Sequence, residues 1–200
     1  MIRSSRSYLS VLFAVISLVL ASSISAFSQG QQASVSNVSI KNFGQMDDRF
    51  FRGGQPKKDE YQELAALGIQ TVIDLRDDPT AYEKGSVEAL GMKYVNIPMS
   101  DSSYPETTKI EAFLKLVDDP STGKFYVHCA GGRHRTGVAG AVYRFNHYNW
   151  TYDQVYAEMK NYDFYTRFGH GDMKKFVQDY AESHQNKAAA TVTTATTGSK

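Results

Sequence analysis

Lys124–Gly140 reads KFYVHCAGGRHRTGVAG: an apolar run, the one cysteine of the chain among glycines and basic residues, then a segment of helical pattern. The run KFYVH is short, aromatic and β-branched, which favours a strand buried on both faces. The following TGVAGAVYRFNHYN favours a helix. A strand, a glycine-rich turn and a helix in that order make half of a parallel βα unit. In such sheets ligands collect outside the carboxyl ends of the strands, which is where Cys129 falls.

The same alternation extends upstream. FFRGGQP opens with a strand and a turn, KDEYQELAAL has helical spacing closed by Gly68, and IQTVIDL from Ile69 to Leu75 reads as a buried strand. AYEKGSVEAL is a second helix ended by Gly91, and MKYVNIP is the next strand. TTKIEAFLKLVDD places Ile110, Phe113, Leu114 and Val117 on one helical face before Pro120 stops it. After the glycine-rich turn come three helical patterns, the last two TYDQVYAEMKN and GDMKKFVQDYAESH. The expectation is an α/β domain with a central, mostly parallel sheet of four or five strands flanked by helices.

Composition bounds the rest. The chain has 200 residues, 42% of them hydrophobic and 12% aromatic, enough for one packed domain. Its start, MIRSSRS followed by the apolar run Val11–Ala21 and SSISAFSQG, has the three zones of a secretory signal, with cleavage expected after Ala26 or Ser28. The run is shorter than the roughly 20 residues that span a bilayer, so export to the periplasm or medium is expected, with no stable membrane span after cleavage. Losing Arg3 and Arg6 takes the basic count from 22 to 20 against 21 acidic residues, so the mature charge is about −1. That balance argues against nucleic acid and makes any anion site local. The domain boundaries read as 1–28 signal, 29–42 flexible lead-in, 43–186 folded domain and 187–200 disordered tail. A monomer is expected.

A lone thiol in an oxidising compartment is more readily explained by use than by packing. The backbone N–H groups of Ala130, Gly131, Gly132, Arg133 and His134 can turn inward as an anion nest, backed by the positive end of the next helix. That field and the nearby cations lower the pKa of Cys129 toward a nucleophilic thiolate. Arg135 has a planar fork able to hold two phosphoryl oxygens. Thr136 can hydrogen-bond the departing thiolate, and His128 can fix the loop through its ring nitrogens. No Cys/His/Asp spacing suggests a metal, and no cofactor is called for.

HCAGGRHRT, His128–Thr136, resembles the His-Cys-(five residues)-Arg-Ser/Thr signature of the cysteine-dependent protein tyrosine and dual-specificity phosphatases. The likeness extends from about Phe50 to His184, through FRGGQP, LGIQTVIDLRDD and the RTG opening the next helix. It implies a dual-specificity-phosphatase-like fold and hydrolysis of phosphate monoesters through a cysteinyl-phosphate. Arg133-His134 before Arg135-Thr136-Gly137 is similar to the atypical dual-specificity phosphatases of plants and fungi, which act on inositol pyrophosphates. The family also uses an aspartic acid from a separate loop as general acid. Asp101 follows the strand MKYVNIP, just before the helix from Thr107, and so reaches the same sheet edge as Cys129; Asp77 and Asp78 reach that edge too and stay as rivals. Asp118 and Asp119 fall at the opposite edge.

The resemblance implies a phosphorylated protein or small molecule as substrate. The short MSDSSYPE segment leaves little chain for a deep cleft, and Arg133 with His134 adds positive charge, which leans toward a shallow, basic site. Rival classes are a rhodanese-type sulfurtransferase and a non-catalytic phosphate-binding module. Arg52 is expected to pair with a carboxylate such as Asp74, the tyrosines of YDFYTRFGH to serve packing, and His170 to lack a ligand-spaced partner.

Overall fold

The computed structural model describes residues 37–197, with side-chain surroundings through residue 186. The signal-like segment lies outside the described residues. Five strands form one sheet: β1 (Gly44–Gln45), β2 (Phe50–Gly53), β3 (Thr71–Arg76), β4 (Lys93–Met99) and β5 (Phe125–His128), in the order β1-β2-β5-β3-β4. Only the short edge pair β1–β2 is antiparallel. The helices are α1 (Tyr61–Ala66), α2 (Glu83–Ala89), α3 (Thr107–Asp118), α4 (Arg135–Tyr148), α5 (Tyr152–Asn161) and α6 (Gly171–Thr197). Among the described residues no helix is long and apolar enough to cross a membrane.

The central strands are buried except at Arg76, the end of β3, because helices cover both faces of a parallel sheet. Alternation along each strand divides the core in two. Phe50, Ile73, Leu75, Phe125 and Val127 pack with α3 to α6; Phe51, Val72 and Tyr126 pack with α1 and α2. The same alternation sorts the polar residues at the strand ends. Asp74 and His128, paired across β3 and β5, fall on the α1/α2 face, whereas Arg52 meets α4 and Tyr162 on the other.

Helix ends follow local chemistry. Pro120, with no N–H to continue α3, opens a 3-10 turn instead. Asn149 takes the left-handed conformation (φ 51°) after α4, and Thr151 with Gln154 forms a capping box at α5. The expected face of α3 is met by Ile110, Phe113 and Val117, all buried, with Leu114 partly so.

Two boundary expectations need correction. Residues 38–42 are not a loose lead-in: Ile40 is buried in the α1/α2 core, and Asn42 bonds to the loop after β5. At the other end α6 runs to Thr197, so the backbone of 187–197 is helical. Ala188, Ala189 and Ala190 are the best helix formers and prolong a helix already nucleated by packing.

Candidate active site

Because β2, β5 and β3 run in register, with Gly53 and Asp74 both beside His128, their carboxyl ends form one edge. The loop from Cys129 to His134 leaves this edge and enters α4 at Arg135. Every carbonyl of residues 130–134 is engaged. Ala130 O accepts from Gln55 N–H (3.2 Å), Gly131 O and Gly132 O from Asn42 Nδ2 (3.3 and 3.0 Å). Gly132 O also accepts from Arg52 Nη2 (2.7 Å), while Arg133 O and His134 O accept from the N–H groups of Gly137 (3.1 Å) and Val138 (2.9 Å). With the carbonyls turned away, the N–H groups are left for the hollow of the loop, the arrangement of an anion nest at a helix N-terminus.

Gly132 makes this turn possible. Its φ is 67°, and a Cβ there would lie 2.4 Å from the Gly53 carbonyl carbon and 2.6 Å from Gly54 N. Arg52, expected to pair with Asp74, instead supports the loop from below. Its guanidinium is buried, donates to Gly132 O and lies 3.9 Å over the Tyr162 ring. Asp74 belongs to the opposite face, so the pairing is topologically barred. Burial pulls Arg52 down to about 10, still protonated at neutral pH.

Cys129 is 4% exposed at the base of the hollow. Burial alone pushes its thiol up, but the hydroxyl and N–H of Thr136, the Arg135 charge and the Arg133 N–H together hold it below the ordinary range. The Thr136 hydroxyl is buried beside the sulfur, where it favours the thiolate. Arg135 is fixed through Nη1, which donates to Asp77 Oδ1 (2.6 Å) and Met99 O (3.1 Å). Nε and Nη2 donate to nothing among the described residues, which leaves two N–H directions for phosphoryl oxygens.

Behind the loop, fully buried His128 places Nε2 2.7 Å from Glu83 Oε1 of α2 and 3.9 Å from Asp74 Oδ1. The Glu83 contact lies off the hydrogen-bond axis, so charge dominates it. Burial pushes the imidazole down, but Glu83, Asp74 and the Cys129 thiolate outweigh that and raise it. These three ligand atoms lie within 4.8 Å of one another, a spacing a cation could bridge. Asp74 Oδ2 and Glu83 Oε2 already accept from Tyr94 (2.9 Å) and Gln55 (3.0 Å), and the two acidic groups together draw a proton toward His128.

Asp101, Cys129, Ala130, Gly131, Arg133, His134 and Arg135 line one cavity of about 170 Å³ with Tyr165 and His170. Of the rival acids, Asp77 is taken up by Arg135 and Asp78 by Arg76 (2.9 Å). His134 differs from its expected role as a cation. Burial, with the charges of His170, Arg133 and Arg135, pushes it down to about 4, so its ring is neutral. Arg133 is partly exposed at the rim, 3.6 Å from Asp163. Sequence reasoning missed Asn42, Asp77 as a partner of Arg135, Glu83, and the place of Tyr165 and His170 at the cavity; their signal is tertiary, since each comes from an element far from the loop in sequence.

A buried thiol in an anion nest at the end of a parallel sheet is an arrangement that suits a cysteine-dependent phosphatase. Residues 21–179 match the family described as "DSP-PTPase phosphatase fused to NAD+ Kinase", and the chain belongs to it. It is therefore a phosphoric monoester hydrolase of the tyrosine and dual-specificity type. The chain is 28% identical over 148 residues to "Probable tyrosine-protein phosphatase DG1060" of Dictyostelium discoideum, covering 70% of this chain and 84% of that protein. It is also 28% identical over 128 residues to "Inositol diphosphatase DSP2" of Oryza sativa subsp. japonica, covering 60% of this chain and 61% of that one. The core catalytic domain of the PP-IP phosphatase SIW14 from S. cerevisiae shares the fold, with a TM-score of 0.62 at 19% identity over 77% of this chain and 94% of that domain.

Proposed function

We propose that catalysis runs through a cysteinyl-phosphate at Cys129. The Cys129 thiolate attacks phosphorus while the loop N–H groups and the free edge of Arg135 hold the equatorial oxygens as charge develops on them. The phosphorus–oxygen bond to the leaving group breaks, and Asp101 gives that oxygen its proton. Water then attacks phosphorus, Asp101 takes a proton from it, and the sulfur leaves as a thiolate stabilised by Thr136. His128 holds the loop from behind. The observation that carries this reading is the convergence of Cys129, Arg135 and Asp101 on one cavity. Hydrolysis of an aryl phosphate by the wild type and by Cys129→Ser tests it: the variant is expected to be inactive, and activity in both would refute the thiolate route. Thiosulfate-to-cyanide transfer would instead mark a sulfurtransferase.

The substrate reading is a phosphorylated protein side chain, with densely phosphorylated small molecules as the second reading. The cavity is smaller than the roughly 300–1,000 Å³ of enclosed ligand pockets, so it suits a phosphoryl group with the rest of the substrate outside. Arg133 at that rim, and the name of the rice relative, favour the second reading. Arg133→Ala is expected to weaken hydrolysis of an inositol polyphosphate by roughly 1 to 3 kcal/mol and to change a simple aryl phosphate far less. Equal losses make Arg133 a scaffold residue.

The domain is further proposed to be an exported monomer. The support is the basic, apolar and small-residue zones before Ser28. N-terminal sequencing of protein recovered outside the cytoplasm is expected to begin just after Ala26 or Ser28; an intact terminus in the cytoplasm contradicts export.

A further inference from the structure

Residues 162–170, between α5 and α6, border the cavity yet take no part in the chemistry above. Asp163 and Phe168 have φ of 58° despite their side chains, and Gly169 has φ of 90°. The resulting turn lays the His170 ring on His134, with centroids 3.5 Å apart and planes at 15°. The neutral His134 ring accepts this stacking without charge repulsion. On its other side His170 Nδ1 lies 2.8 Å from the Asp101 carbonyl oxygen. A carbonyl only accepts, so Nδ1 carries the proton and donates. A Cβ on Gly169 would stand 3.5 Å from Ser102 Cβ, so the turn packs on the Asp101 loop at a second point.

That loop has little else to hold it. Ser100 and Ser103 bond to each other (3.1 Å), and Tyr104 reaches Asp179 on α6 (2.9 Å). Among the described residues, the His170 contact is the one hydrogen bond that Asp101 itself makes.

We propose that His170 is a positioning residue, clipping the loop that carries Asp101 to the signature loop through His134 and so fixing where the general acid stands. The proposal rests on the reading of Asp101 as that acid. A misplaced acid costs most where the leaving group most needs a proton. The test therefore compares kcat for phenyl phosphate and p-nitrophenyl phosphate in the wild type, Asp101→Asn, His170→Ala and His170→Asn.

General acid catalysis contributes about 10²–10⁴-fold, so Asp101→Asn is expected to lose far more rate on phenyl phosphate. His170→Ala is expected to lose about ten-fold more on phenyl phosphate than on p-nitrophenyl phosphate, a fraction of that effect. His170→Asn, whose amide can donate to the same carbonyl, is expected to recover most of the loss at an unchanged thermal midpoint. Equal losses on both substrates in His170→Ala, with discrimination intact in Asp101→Asn, would overturn the clip alone. No leaving-group dependence in Asp101→Asn would reject the acid and the clip together.

Discussion

At Gly132 a single side chain would undo the site. The left-handed backbone costs a non-glycine residue about 1 kcal/mol or more, and the added methyl would meet backbone of Gly53 and Gly54, which has no rotamer to yield. Gly132→Ala is expected to shift the cradle and reduce kcat/KM on an aryl phosphate by about 10²-fold, the scale of a 1 Å misplacement. Near-native rates would show that the loop has slack the geometry denies. Cys129, Arg135 and Thr136 could be picked out as candidates because they share one short loop whose chemistry is local. Arg52 and His134 were not. The acceptor of Arg52 is a carbonyl 80 residues away, and the burial that most lowers His134 comes in part from residues of the segment before α6, whose rings pack on it.

Elements, rather than single residues, set the charge behind the loop. Register places Asp74 beside His128, and α2 brings in Glu83 as its first residue. His128 is raised above its unfolded value of 6.5, so its share of stability is complete below that value and fades as pH rises through the raised one. Glu83→Gln removes the nearest carboxylate, and the His128 ring is expected to titrate at lower pH by NMR than in the wild type. An unchanged midpoint would mean that Asp74 alone raises the His128 ring. Asn42 belongs at this scale too, since it ties the segment before β1 to Gly131, Gly132 and Tyr162. Asn42→Ala is expected to cost about 1–3 kcal/mol in urea unfolding, and a loss within error would return 37–42 to the status of a loose lead-in. The Ser/Gln/Asn-rich composition of 29–42 hid this role, because composition does not show where an amide will bond.

Across the whole molecule, the alternation of IQTVIDL, MKYVNIP and KFYVH with helical patterns was enough to give the parallel sheet, its covered faces and its active edge. What the strand pattern could not give was the order β1-β2-β5-β3-β4, which places β5 centrally and lets β2, β3 and α2 meet around the motif. The turn before α6 that closes the cavity was equally hidden, since its effect depends on where α5 ends. In the proposed mechanism this framework makes Cys129 a nucleophile that carries the phosphoryl group. Intact-protein mass spectrometry of enzyme quenched during turnover of an aryl phosphate would reveal that adduct. One phosphate per chain is expected on Cys129, and none in Cys129→Ser. Turnover without an adduct, together with an active Cys129→Ser variant, would contradict it.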